Sequence, residues 1–496
     1  MHVLHSRLNH QSLDLGRLAI RWVVPGLALV LGLAGLFVTA RYRYIQVDEI
    51  ETVHAAWKLA TGAMIFRDFF EHHHPLNYMV ISWLLEPQPK AAFTVIWLRL
   101  LNLGVVALIL ATTFELTRRL FDARAGLAAT VLLAAAPFFS QKAIELRPDV
   151  PQTAFGLAAL LLLIPGLQRG RWPWAMAAGL ALGLAFAALQ KAVFLVIAVG
   201  LIAGLRWLSG QVRFRELAAL AAGFLLALVP FVVWLVANGA WSEFWLFNYG
   251  LNAAQTYVAV PTETLRKTPR VFFTLVNSLT QSPLLWGFFA VGLLTLISQP
   301  TDPAKRWWRL ELAFVAVVLL AWVIVLNKYF THYYLPALPL VAVFAGGAFA
   351  ASLRDRPLVF SVLLAVSGFA ALGDAVRTAN NEPNSGQLER IDRVLALTRA
   401  DDPVLDGRNQ FNLFRPDVDF FWFNTSDDGL RRTYEALTGE SYDPFQRIEE
   451  MNPAVVNLQA LSEGTSADDP RLSDFGLLEG TEDILVRADR LGKSEP

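Results

Sequence analysis

The chain has 496 residues, 42 basic and 42 acidic, so its formal charge is zero; 55% of it is hydrophobic and only 17% is charged. An ordinary soluble domain carries roughly 25% charged residues, which argues against a soluble enzyme, and the lack of any Cys removes disulfides, thiolate metal sites and a Cys nucleophile. The neutral total hides an asymmetry: residues 375–496 hold 24 acidic and 13 basic side chains, a net of −11, and the first 374 residues are net +11.

Taken in chain order, the first 374 residues are a series of apolar runs of about 16–25 residues, near the roughly 20 that cross a bilayer as helix. Eleven spans are expected, near 18–40, 92–116, 125–145, 150–167, 173–189, 191–208, 216–238, 283–298, 309–327, 335–352 and 357–374. Pro173, Pro283 and Pro357 open three of them, as suits the first turn of a helix. The first run is too long for a cleavable signal peptide and no small-residue cleavage site follows it. Lys and Arg in short connections set orientation. With the N-terminus in the cytoplasm, every connection on that side is basic: Arg118, Arg119, Arg124; Arg169, Arg171; Arg206, Arg213, Arg215; Lys305, Arg306, Arg309; Arg354, Arg356. The expected fold class is a polytopic α-helical membrane protein over 1–374, with outward loops 41–90 and 239–282. An acidic extracytoplasmic α/β domain is expected over 375–496, with strands at 403–405, 420–423 and 454–458 and helices at 387–398 and 429–438.

Ionisable residues collect on the outward side. In the first loop Asp48 and Glu49 begin a short amphipathic helix that Gly62 ends, and its Ile50, Val53, Trp57 and Ala60 fall at helical spacing, able to lie on the membrane surface. Asp68, Glu71, His72, His73, His74 and Pro75 follow. Taken singly, the acidic pair reads as helix capping and the His triplet as a polar loop. A second cluster, Glu145, Arg147 and Asp149, occupies a very short connection on the same side, and a third is Lys328, Tyr329, His332, Tyr333 and Tyr334 before an apolar run. Charges at membrane depth usually face a cavity; a surface Arg147–Asp149 pair and an aromatic anchoring belt are the simpler readings. Gln190 and Lys191 stand at a tight outward turn, where snorkelling is as good an account as function. Trp241, Phe244, Trp245, Phe247 and Tyr257 either cover a lipid cavity or form an interfacial helix.

These motifs resemble those of the GT-C glycosyltransferases that use polyprenyl-phosphate sugars, in the bacterial branch related to protein O-mannosyltransferases and the lipid A aminoarabinose transferase. The resemblance rests on Asp48-Glu49, on Gly62 to Asp68, on His73-His74-Pro75-Leu76-Asn77-Tyr78 with His74 where the family usually has Pro, on Arg147-Pro148-Asp149, and on Tyr333-Tyr334-Leu335-Pro336 with Leu338-Pro339. It covers most of the membrane part, and order, side and spacing carry it more than any one motif.

The resemblance implies transfer of a sugar from a polyprenyl-phosphate donor to a hydroxyl of a cell-envelope lipid, glycan or protein, in line and with inversion, at the inner membrane. A carboxylate must take the acceptor's proton, for which Asp48 is the candidate, with Asp149 orienting the acceptor or tuning Asp48. The leaving phosphate needs positive charge or a metal. Glu49, His73, His74, Arg147, Lys191, Lys328, His332 and Tyr333 are the expected substrate contacts. Glu71 and His72 are the expected ligands of a divalent cation, with zinc or manganese favoured over magnesium by imidazole and carboxylate. No nucleic-acid partner is expected. The competing readings are a lipid-linked sugar flippase or transporter, which would show two corresponding halves with charges at the midplane, and a glycan ligase or polymerase.

Overall fold

The computed structural model of the protein describes residues 19–168, 170–258, 261–296, 303–325, 330–423, 428–461 and 464–491. In chain order, α1 (Val24–Tyr42) leads to α2 (Val47–Ala60) and α3 (Leu76–Leu85) of the 41–90 loop, then α4 (Phe93–Leu120). Next come α5 (Ala123–Ala134), α6 (Pro137–Ala143), α7 (Asp149–Gln168), α8 (Trp172–Ala188), α9 (Val193–Leu208) and α10 (Phe214–Ala237). The second long connection holds α11 (Trp241–Trp245), α12 (Leu251–Val258) and α13 (Pro261–Gln281), and α14 (Pro283–Leu294), α15 (Pro303–Val325), α16 (Leu338–Ser352) and α17 (Pro357–Asn381) complete the membrane part.

Among the described residues, seven helices are long and apolar enough to cross a bilayer alone: α1, α4, α7, α9, α10, α15 and α17. The pair α5–α6, bent by 72°, makes an eighth. Pro137 causes that bend, because it opens α6 and forces Ala136 into an extended conformation. Shorter apolar helices, α8, α14 and α16, lie at the three remaining expected positions. Small residues let helices approach closely: a Cβ on Gly179 of α8 would collide with the Leu220 carbonyl of α10, and one on Gly223 with that of Met176. Gly35 and Gly368 bring α1 against α17 in the same way, so the first and last membrane helices are neighbours. The last of them continues to Asn381, past the expected boundary at 374.

That pairing sets the C-terminal region on the 41–90 loop. Ile45 exchanges two hydrogen bonds with the Gln387 side chain, at 2.8 and 2.9 Å, and Tyr44 N–H donates to the Glu382 carbonyl at 2.7 Å. The region contains α18 (Ser385–Leu397), β1 (Val404–Leu405), α19 (Asp428–Thr438), α20 (Pro444–Met451), β2 (Val455–Asn457), β3 (Phe475–Leu477) and β4 (Ile484–Arg487). The sheet order is β1-β2-β4-β3. β1 and β2 are parallel with Val404 opposite Val455, and the other pairs are antiparallel, with Val456 opposite Leu485 and Gly476 opposite Val486.

Two expectations are corrected here. Residues 420–423 are not a strand of this sheet; Phe421, Trp422 and Phe423 are all buried, without the alternation of a half-exposed strand, and Phe70 N–H donates to the Phe420 carbonyl at 3.0 Å. Nor does α2 rest on a membrane surface. Ile50, Val53 and Trp57 are buried in one core with Val95 of α4 and with Phe411, Phe414 and Val455 of the C-terminal region.

Candidate functional site

Arg147 stands at the centre of one ionisable cluster. It follows the bent pair α5–α6 and precedes Pro148, which favours an extended residue before it, and α7 starts at Asp149. Its Nη1 contacts Asp48 Oδ2, and its Nε lies 3.5 Å from Asp149 Oδ2 and 3.9 Å from Glu145 Oε2. Lys191 Nζ, in the turn before α9, is 3.6 Å from Asp149 Oδ1 and 4.0 Å from the centroid of the Tyr333 ring. Asp48, Arg147, Asp149, Lys191 and Tyr333 thus form one chain of contacts drawn from four separate segments. His332 is buried beside Tyr333, ring centroids 4.3 Å apart; burial first, then the charges of Arg147 and Lys191, push its pKa well below the ordinary value. Lys328 lies outside the described residues.

A rigid ionic frame holds this chain from behind. Arg99 grips Glu49 with Nε at 2.8 Å from Oε1 and with Nη2 on Oε2. Leu146 N–H and Gln46 N–H also donate to that carboxylate, both at 3.1 Å. Glu49 is fully buried, so this expected substrate contact is a clamp joining α2, α4 and the 144–148 loop, with its acceptor capacity taken up. Glu145 accepts from Arg43 at 3.2 Å and Lys142 at 2.7 Å. Asn102 donates to the carbonyls of Ala143 and Glu145. Neither Arg43 nor Arg99 stands out in the sequence: Arg43 follows the first apolar run beside Arg41, as a span end does, and Arg99 is a single Arg inside the run 92–116.

The second assembly lies in the 71–74 turn. Glu51, Glu71, His72 and His73 each offer a ligand atom, all within 4.8 Å of one another. Glu51 is an addition to the expected pair Glu71 and His72; its signal was its place three residues after Asp48, on the same helix face. Burial holds the imidazoles of His72 and His73 down to a pKa of about 3, so both are neutral at pH 7, the state a metal requires. Burial, then the charge of Glu71, raises the Glu51 carboxyl well above the usual range. The charges of Lys191 and Asp149 act on His73, which ties this cluster to the Arg147 chain. His74 is placed differently: its Nδ1 meets the Phe186 carbonyl at 2.6 Å and its Nε2 meets the Tyr249 hydroxyl at 3.0 Å. Both nitrogens are engaged, so the expected substrate contact at His74 is instead a joint between the turn, α8 and the second long connection.

An apolar groove of about 280 Å³ opens between α3, α4, α7 and α8, walled by Leu76, Val80, Leu101, Val105 and Phe155, and Arg147 is one of three polar residues that line it, with Asn77 and Asn102. Among the described residues, the aromatic stretch after α10 neither lines this groove nor lies apart as an interfacial helix. Phe244 and Phe247 are buried with Phe66, Phe70, Trp422 and Tyr434 in a core that roofs the 61–78 loop. The side chain of Tyr257 lies outside the described residues.

Residues 73–236 match the sequence model of the dolichyl-phosphate-mannose-protein mannosyltransferase family. ArnT from Cupriavidus metallidurans aligns at TM-score 0.62 in its undecaprenyl-phosphate-bound structure, with 15% identity over 94% of this chain and 97% of that one. Its apo structure aligns at 0.59, with 17% identity over 80% and 85%. An oligosaccharyltransferase from Archaeoglobus fulgidus aligns more loosely, at 0.49 with 13% identity over 88% and 69%. No curated protein shows significant sequence similarity to the chain. The chain therefore shares the ArnT fold along most of its length, and about a third of it, residues 73–236, matches the sequence model of the mannosyltransferase family.

Proposed function

We propose that the protein moves a sugar from a polyprenyl-phosphate donor to a hydroxyl of a cell-envelope lipid, glycan or protein, with inversion at the anomeric carbon. The observation that carries this is the meeting of an apolar groove with a polar array at one residue. Arg147 borders the groove and also contacts Asp48. A prenyl chain in the groove puts its phosphate among Arg147, Lys191 and His332, and puts the anomeric carbon within reach of a hydroxyl activated by Asp48. The undecaprenyl phosphate in the ArnT structure of the same fold supports this reading.

In this account Asp48, with its side chain 42% exposed, takes the acceptor's proton. Arg147 and Lys191 stabilise the leaving phosphate, and Asp149, between the two cations, orients them. The donor set of Glu51, Glu71, His72 and His73 fits a divalent cation: two carboxyls crowd together in a buried site where one must otherwise stay protonated, beside two neutral imidazoles. Those four residues would hold it, zinc or manganese being favoured over magnesium, and the cation would add positive charge for the departing phosphate. The protein sits in the cell membrane with its N-terminus in the cytoplasm and the C-terminal region outside.

The test incubates purified protein with a panel of polyprenyl-phosphate sugars and follows release of the prenyl phosphate. Release from at least one donor is expected, lowered by a chelator and restored by zinc or manganese. Release from none, with vectorial lipid movement in liposomes, would replace this reading with the flippase.

A further inference from the structure

Asn248 occupies a π-helical turn, Leu246–Gly250, between α11 and α12, and such turns recur at functional sites. Its side chain is 1% exposed, and neither its oxygen nor its nitrogen has a hydrogen-bond partner. A fully buried carboxamide left unpaired in a folded protein calls for an explanation. Its surroundings supply one. Asn252 Nδ2 donates to the Asn248 carbonyl at 2.8 Å and reaches the His72 carbonyl at 3.5 Å. Gln190 Nε2 donates to that same His72 carbonyl at 2.9 Å, and Gln190 Oε1 is a further buried atom without a partner. Gln190 and Asn252, from two distant segments, thus meet at the His72 carbonyl, and the unpaired carboxamide of Asn248 lies one helical turn before Asn252.

Their position relative to charge is informative. Gln190 is the residue before Lys191, whose ammonium lies 3.6 Å from Asp149. Beside the cation suited to a phosphate, therefore, stand neutral groups that both donate and accept. A second phosphate would call for further cations. A sugar ring offers hydroxyls, which donate and accept in the way carboxamides do. We infer that Gln190, Asn248 and Asn252 form the subsite that hydrogen-bonds the neutral hydroxyls of the donor's sugar ring, next to the phosphate site. The inference rests on the glycosyltransferase reading and adds to it the residues that recognise the sugar.

The test compares two affinities on the full-length protein. One is for bare undecaprenyl phosphate; the other is for undecaprenyl-phosphate mannose, glucose or arabinose, whichever binds more tightly. Asn248→Leu keeps the volume and removes the hydrogen bonds. Because no partner in the free protein is lost, its melting temperature is expected to be unchanged or higher. Affinity for the sugar-bearing lipid should fall by about tenfold, with affinity for bare undecaprenyl phosphate unchanged. Asn248→Ser is the second variant, read by the same ratio if the first folds poorly. An equal loss for both lipids, or no loss for the sugar-bearing one, overturns the subsite. Wild-type protein that binds neither lipid would instead sink the donor reading beneath it.

Discussion

Asp48 and Glu49 are chain neighbours with opposite fates. The side chain of Asp48 is 42% exposed and faces Arg147, whereas that of Glu49 is fully buried under Arg99. Removing one partner of a buried pair leaves an uncompensated charge, at a cost of about 3–5 kcal/mol. Glu49→Gln is therefore expected to lower the melting temperature sharply, and Asp48→Asn to leave it nearly unchanged; equal melting temperatures would contradict the assignment of Glu49 as a clamp. The dipeptide was legible as a motif. Which member was the clamp was not, since that depends on Arg99, fifty positions away. His74 gives a pH signature. Burial lowers its pKa to about 4, while the unfolded chain takes up that proton near pH 6.5. Stability is thus full above about pH 6.5 and falls as pH drops toward 4, by at most about 1.4 kcal/mol per pH unit for this one group. His74→Asn should make thermal stability less dependent on pH across that window; an unchanged dependence would assign the effect elsewhere.

Elements show why some of the fold could be read locally and some could not. Helices with long apolar periodicity, and α18 and α19 in the C-terminal region, emerge from sequence because their signal lies within one segment. The run Phe420–Phe423 resembles a strand for the same reason, yet its partner is the histidine turn some 350 residues earlier. Trp422 Nε1 donates to the Phe70 carbonyl at 2.8 Å, and the Phe423 ring stacks on His72 with centroids 5.6 Å apart and planes at 22°. β3 and β4, of three and four residues, lie outside the three expected strands. Groups that orient a metal ligand are typically worth about 10–100-fold in metal affinity. Phe423→Ala is accordingly expected to weaken zinc binding by roughly tenfold in calorimetry, with Phe423→Tyr restoring it. Unchanged zinc affinity in the alanine variant would reduce Phe423 to a packing residue.

At the scale of the whole molecule, the split between a +11 and a −11 region becomes an arrangement in space. α1 and α17 pack together, and the acidic region that follows α17 lies on the 41–90 loop, where His54 Nε2 meets Asp417 at 2.9 Å and Lys58 joins the same carboxylate. Absence of Cys makes the orientation easy to test with single introduced thiols. Ser473→Cys should react with an impermeant maleimide in intact spheroplasts and Ser209→Cys only after lysis; the reverse pattern would invert the topology. The central claim, that the array around Arg147 transfers a sugar with Asp48 as base, is tested most directly by donor turnover in Asp48→Asn. The variant should bind the active polyprenyl-phosphate sugar as wild type does, yet release prenyl phosphate at least about 100-fold more slowly. Release at the wild-type rate would contradict the account.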